Sequence, residues 1–290
     1  MVENSFASVQ ILDNFYQTSS YFPMPVVLVS TITSSGKTNL GPYSLCFPYI
    51  IAEKHSMLLI SRSNSNTANN IRMNKVCAIN FIPYDKKLLK NCVILGYPGE
   101  TTEEKMKNCK FTLIPSLRTE EERDPTISYP EIVDEAIQVF ECTLDESFPS
   151  YNNESTLESH FVLSINKIVM KKEWKDCLME GKGFPDLPVD FGYRNNVNFW
   201  FSKHSSPYAE PIPKEKGNSV DSVIYAAQRT DSEVKWTDEA CEKLVKVPRI
   251  FLKKALKGCV EAAKKEGITL ITPEFLEKIR DKRAMEKQET

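Results

Sequence analysis

Five short runs rich in β-branched and apolar residues constrain the fold of this chain more than any other feature. VVLVSTI (26–32), MLLIS (57–61), VCAINFI (76–82), IQVFECTL (137–144) and FVLSINKIVM (161–170) each have strand character. Turn clusters such as Ser34-Ser35-Gly36-Lys37 separate them. Their spacing predicts a mainly β protein, a barrel or sandwich. Helical inserts are expected at 67–74, 85–92 and near 101–108, and the polar region 97–130 carries a charged loop, TEEERD (119–124).

The composition shifts after Ser205. SSPYAEPIPKEKGNSVDS holds three prolines and few apolar residues, which reads as an extended linker or a strap. Helical signals follow. Thr237 is a good N-cap, with Asp238 and Glu239 in the turn where the helix dipole favours acids. Ala240, Leu244 and Val247 share one face. Pro248 opens a second helix with Phe251, Ala255, Leu256, Cys259, Val260 and Ala263 as its apolar side, and Gly267 fits the C′ position. ITLIT is a short strand or strap, and Thr272-Pro273 starts a third helix. The expected division is a β domain at 1–204, a linker at 205–233 and a small α-helical module at 234–290. A module of that size buries only a modest core, so it is expected to pack on the barrel or on a partner.

Bulk properties exclude several classes. With 41% hydrophobic and 26% charged residues and a formal net charge of −2, the chain has the profile of a soluble protein with no electrostatic bias toward nucleic acid. No apolar run approaches membrane-spanning length. The stretch MVENSFASVQILDNFYQ lacks a basic region ahead of an apolar core, so no secretory signal is expected. The eight cysteines show no C-x-x-C spacing, and several lie in apolar runs, as free thiols in a reducing cytoplasm do. Three histidines, His55, His160 and His204, show no metal-ligand spacing. There is no G-x-G-x-x-G, Walker A or G-x-S-x-G motif.

Two stretches carry chemistry. In SRSNSNTANNI (61–71), Thr67 suits the N-cap of a helix, whose first N–H groups attract an anion. Arg62 and the hydroxyls of Ser61, Ser63, Ser65 and Thr67 add donors for a phosphate, although a capped helix after a polar loop needs no ligand. In TNLGPYSLCFP (38–48), Gly41 and Pro42 weaken strand pairing. Either the strand merely bends there, or its backbone stays open to the polar edge of a planar heterocycle.

Taken in order, these stretches resemble the flavin reductase-like family of FMN-binding split barrels. The family order is a strand, a turn with Gly, N-x-x-P-x-S, a strand ending near Ser/Arg, a T-x-x-N-I helix start and a strand with Asn near its end. Asn39, Pro42, Ser44, Thr67, Asn70 and Asn80 fill those places, and the likeness spans about residues 20–200. It implies an FMN-binding split β-barrel with helical inserts. FMN would be bound by residues 39–46 (Asn39, Pro42, Tyr43, Ser44, Leu45 and Cys46), with Asn80 nearby and phosphate held by Ser61, Arg62, Ser63, Thr67 and Asn70. It further implies a homodimer with flavin near the interface, and an oxidoreductase moving electrons between NAD(P)H or a protein donor and flavin. The alternative is a non-enzymatic FMN-binding protein.

Two departures stand out. Many members carry Lys-Asp or Arg-Asp just before T-x-x-N, where this chain has Ser65-Asn66. The span 185–213 is unusually aromatic, and Tyr193, Phe199, Trp200 and Phe201 would either cover the flavin or fill the barrel end. Residues 235–282 resemble the small helical domain that ends one subunit of light-independent protochlorophyllide reductase. Its basic face (Lys246, Arg249, Lys253, Lys254 and Lys257) is expected either to be solvated or to meet an acidic partner or an anionic ligand, and the module at 234–290 is a candidate dock for a redox partner.

Overall fold

The structure is a computed structural model that describes residues 6–52, 54–149, 151–153, 157–180, 183–193, 198–208, 210 and 217–286. It divides into two units, Met1–Pro207 and Tyr208–Thr290.

The first unit is built on eight strands: β1 (Val27–Ile32), β2 (Thr38–Tyr43), β3 (Cys46–Ile50), β4 (Ser56–Arg62), β5 (Val76–Phe81), β6 (Gln138–Leu144), β7 (Tyr151–Asn153) and β8 (Glu158–Met170). They form one antiparallel sheet in the order β2-β1-β5-β6-β8-β4-β3, with β7 added on β8. All five expected runs are strands, with ends shifted by a few residues.

The order explains why the sheet curls. Its two ends, β2 and β3, are consecutive in the chain and joined only by Ser44 and Leu45. Three peptide steps span at most about 11 Å, so the opposite edges must approach each other. The Ile60 N–H donates to the Leu45 carbonyl at 2.9 Å, and the Tyr43 and Ser61 hydroxyls, from β2 and β4, lie 2.7 Å apart. The result is a mainly β split barrel.

Side-chain alternation sorts the strands' two faces. Val27, Val29, Cys46, Met57, Leu59, Cys77, Ile79, Cys142, Phe161 and Leu163 fill one core. Leu28, Leu40, Ala78 and Val139 face a second core on the other side of the sheet. Helix α1 (Asn66–Asn74) packs Ala68 and Ile71 into the first core. Helix α2 (Lys86–Leu95) gives Leu89, Cys92 and Leu95 to the second. Helix α3 (Thr102–Met106) begins with a capping box between Thr101 and Glu104. The helical inserts therefore occur where expected. A small separate sheet pairs Met24–Pro25, β9 (Pro188–Tyr193) and β10 (Phe199–Lys203).

The second unit holds α4 (Val220–Gln228), α5 (Asp238–Leu244), α6 (Arg249–Lys265) and α7 (Pro273–Glu286). The stretch expected to be a linker thus contributes a helix, capped by Ser219, whose Val223 and Ala227 are fully buried. They pack with Cys241, Leu252 and Leu256, so α4 belongs to this unit's core. The caps at Thr237 and Gly267 (φ +68°) are as expected. The ITLIT segment pairs in parallel, Lys235–Trp236 against Leu270–Ile271. On α6 one expectation is reversed: Leu252 is buried, whereas Phe251 is 55% exposed. No helix among the described residues is long and apolar enough to cross a membrane.

Candidate functional site

The corner between β2 and β3, the end of β4 and the start of α1 meet in one place. Ser65, not Thr67, caps α1: its backbone is extended (φ −72°, ψ 152°) and its hydroxyl accepts the Ala68 N–H at 3.0 Å. Starting the helix at Asn66 turns Thr67 and Asn70 inward, and both are buried. The Asn39 amide donates to the hydroxyls of Thr31 (3.2 Å) and Thr67 (3.3 Å) and accepts from the Thr102 hydroxyl at 3.4 Å. The Asn70 amide donates to the Thr31 hydroxyl at 3.1 Å. This buried network ties α1 and α3 to the sheet, and a half-broken buried network costs more than an apolar one.

Gly41 belongs to the same arrangement. A Cβ there would lie 2.5 Å from Thr67 Oγ1 and 2.9 Å from Tyr43 Cε2. The glycine therefore gives room to the chain's own Thr67 and Tyr43. Pro42 sits on an edge strand, where its missing N–H breaks no ladder.

A second group lies beside it, with Tyr43 and Ser65 half-buried, Ser61 buried and Arg62 exposed. The hydroxyls of Tyr43, Ser61 and Ser65 form a chain, with Ser61 2.7 Å from Tyr43 and 2.9 Å from Ser65. The N–H groups of Asn66 and Thr67 make no hydrogen bond among the described residues. Arg62 is exposed, with no ion pair or hydrogen bond among the described residues. Ser63 is fixed differently: its hydroxyl bonds that of Ser159, and Arg72 Nη1 donates to its carbonyl at 2.7 Å. Unpaired helix N–H groups, a free guanidinium and a run of hydroxyls make a donor set that suits an anion such as a phosphate ester.

The remaining expected residues are placed elsewhere. Asn80 is fully buried; its amide donates to the Leu28 carbonyl and the Ser30 hydroxyl, both at 2.8 Å, and accepts the Val133 N–H at 2.9 Å. Cys46 lies in the barrel core, where burial first, and then Cys77, pushes its thiol far above the usual range. Leu45 contributes its carbonyl to Ile60. Ser44 donates to the carboxylate of Asp190, which is 3% exposed and also accepts the Gly192 N–H at 2.7 Å. Asp190 comes from β9, 146 residues away, and nothing in the local sequence marks it. Burial first, then Asp190 and Glu158, raises the Tyr16 phenol. Of the aromatic span, Phe201 packs into the second core, Phe199 and Trp200 are exposed, and the side chain of Tyr193 lies outside the described residues. Among the described residues no cluster of His, Cys, Asp and Glu could hold a metal ion.

No family model and no curated protein matches this sequence. Solved structures do match its fold. Component B of nitrilotriacetate monooxygenase from Bacillus cereus is 18% identical, over 72% of this chain and 100% of that chain, with a TM-score of 0.54. The 2-nitrobenzoate 2-nitroreductase of Pseudomonas fluorescens is also 18% identical, over 69% of this chain and 90% of that chain, at a TM-score of 0.52. An FMN-binding protein from Thermus thermophilus, solved with bound p-hydroxybenzaldehyde, is 14% identical over 72% of this chain and 100% of its own, at a TM-score of 0.51. The split-barrel fold expected from the sequence is the one observed.

Proposed function

We propose that the chain binds FMN at the β2–β3 corner and acts as a flavin-dependent oxidoreductase. The observation that carries this reading is the donor set of the exposed Arg62, the half-buried Tyr43 hydroxyl backed by the buried Ser61, and the free N–H groups of Asn66 and Thr67. It lies on a barrel of the same fold as an FMN-binding protein and a nitroreductase. When bound, FMN supplies the redox chemistry, accepting hydride or single electrons. The chain's own residues bind and orient. Arg62 and the start of α1 hold the phosphate, the Tyr43–Ser61–Ser65 hydroxyls orient it, and the inward network of Asn39, Thr67 and Asn70 keeps the helix start in place.

The test is a titration of the purified protein with FMN, followed by flavin fluorescence. Saturable binding is expected, and a colourless protein that also fails to bind added FMN overturns the reading. Arg62→Ala and Tyr43→Phe are each expected to weaken binding by about 1–2 kcal/mol, because each removes one bond to a charged group. Thr67→Ala is expected to lower the unfolding free energy by about 1 kcal/mol while leaving FMN affinity nearly unchanged, since its hydroxyl faces Asn39. Equal loss of affinity in all three variants would place Thr67 on the phosphate instead. NAD(P)H consumption with added FMN separates a reductase from a non-enzymatic flavin carrier.

The reading includes a homodimer. It is supported by the large apolar side chains exposed near the N-terminus, among them Phe6 (88%), Ile11 (83%) and Tyr21 (84%), which a second copy would cover. Sedimentation at micromolar concentration is expected to give a dimer, and a monomer there would sink this part of the proposal. The likeness of residues 235–282 to a protochlorophyllide reductase domain rests on sequence pattern alone.

A further inference from the structure

We infer that the outer face of α6 is a docking surface for a small acidic electron-carrier protein. Its acidic partner follows from the helix itself; that the partner carries electrons rests on the proposed flavin chemistry.

Residues 243–260 contain six cations and no acid. Lys243 pairs with Glu277 at 3.3 Å, and further along α6 Lys264 pairs with Asp231 and Glu233. Lys246, Arg249, Lys253, Lys254 and Lys257 have no ion pair among the described residues. Between them lie two large apolar side chains, Ile250 at 82% exposure and Phe251 at 55%. At 3.6 residues per turn, Ile250, Lys254 and Lys257 lie away from the side that buries Leu252, Leu256, Cys259, Val260 and Ala263. Ile250, Phe251, Lys254 and Lys257 therefore share the free face, with Lys253 at its edge and the acid Glu261 one turn beyond Lys257.

This arrangement does nothing for the stability of the helix. Cations beside the first turn oppose the helix dipole, each by a few tenths of a kcal/mol. The other helices of the unit begin with acids: Asp221 in α4, Asp238 and Glu239 in α5, and Glu274 in α7. Five unpaired like charges also repel one another. A partner of opposite sign relieves both effects.

The chemistry favours a protein over the other polyanions. An apolar centre rimmed by charge is the anatomy of a protein interface, with the aromatic residue as anchor. A helix lying in a membrane surface presents a long apolar stripe to lipid. Here that stripe, Leu252 to Ala263, is already buried in the unit's own cores, leaving only Ile250 and Phe251.

The test titrates the full chain with a plant-type ferredoxin by calorimetry, beside vesicles of phosphatidylserine and phosphatidylcholine and a duplex DNA. Saturable ferredoxin binding is expected, weakened about tenfold or more between low and physiological salt. The triple variant Lys253→Glu, Lys254→Glu, Lys257→Glu and the single variant Phe251→Ser are each expected to weaken it about tenfold or more. Both change exposed positions, and circular dichroism confirms that they fold. No ferredoxin binding, binding unchanged in both variants, or tighter binding to vesicles or DNA each overturns the inference. FMN titration of the same preparations reads the flavin proposal separately, so failure of one is not mistaken for failure of the other.

Discussion

Glu141→Ala is expected to lower the unfolding free energy of the barrel by about 3–5 kcal/mol, because it strips a buried ion pair of one partner. Glu141 lies on β6 at 2% exposure, and Arg118 is 9% exposed. The carboxylate accepts from Arg118 Nε at 3.0 Å, the Ser116 hydroxyl at 2.6 Å and the Leu117 N–H at 3.0 Å. Arg118 reaches on to Asn166 at 3.0 Å, and its guanidinium lies 4.8 Å from the centre of the Tyr129 ring. Arg123 then donates to the carbonyls of Arg118 and Ser116. One carboxylate thus organises the segment before the charged loop at 119–124. Truncation leaves a guanidinium, a hydroxyl and an amide without their acceptor. Urea unfolding measures the loss, and a change below about 1 kcal/mol would refute this account. The double variant Glu141→Leu, Arg118→Met is expected to recover much of the loss, since an apolar pair of similar volume avoids the desolvation of both charges.

The barrel was legible because its strands alternate. VVLVSTI and VCAINFI send every second side chain to opposite cores, a period that no helix reproduces. Sheet closure was not legible, because it depends on β2 and β3 lying at opposite ends of the strand order. The site was legible as a set of residues but not in their roles. Ser65, Asn66 and Thr67 all cap helices well, so local propensity does not choose among them. Moving the cap from Thr67 to Ser65 shifts the helix start by two residues, about 200° of rotation in facing. Thr67 and Asn70 therefore meet Asn39 and Thr31, and Ser65 joins the hydroxyl chain. The helix α4 was hidden by the prolines before it, although Val220, Val223, Ile224 and Ala227 already stand at helical spacing behind the cap-forming Ser219. The Ser44–Asp190 bond has no local signal at all.

Lys105→Met is expected to stabilise the protein by about 2–3 kcal/mol at pH 7, the order given by the pKa displacement of a buried ammonium. Lys105 is 6% exposed on α3 and has no ion pair or hydrogen bond from its ammonium among the described residues. Burial pushes its pKa down to about 8 from an ordinary 10.5, with Glu100 opposing the shift. The sign follows from proton counts. Between about 8 and 10.5 the unfolded chain holds the proton and the folded chain has lost it, so stability rises with pH across that window. Below it both states are charged, and the folded state bears the whole desolvation cost. Unfolding at pH 7 and at pH 10, in wild type and variant, isolates the lysine together with its neighbour Cys109, whose thiol burial pushes up and the Lys105 charge draws down. Methionine also changes packing, but a packing gain is the same at both pH values. The gain from removing a buried ammonium shrinks toward zero at the alkaline end, so parallel pH curves for the two proteins would show that Lys105 is not the strained group.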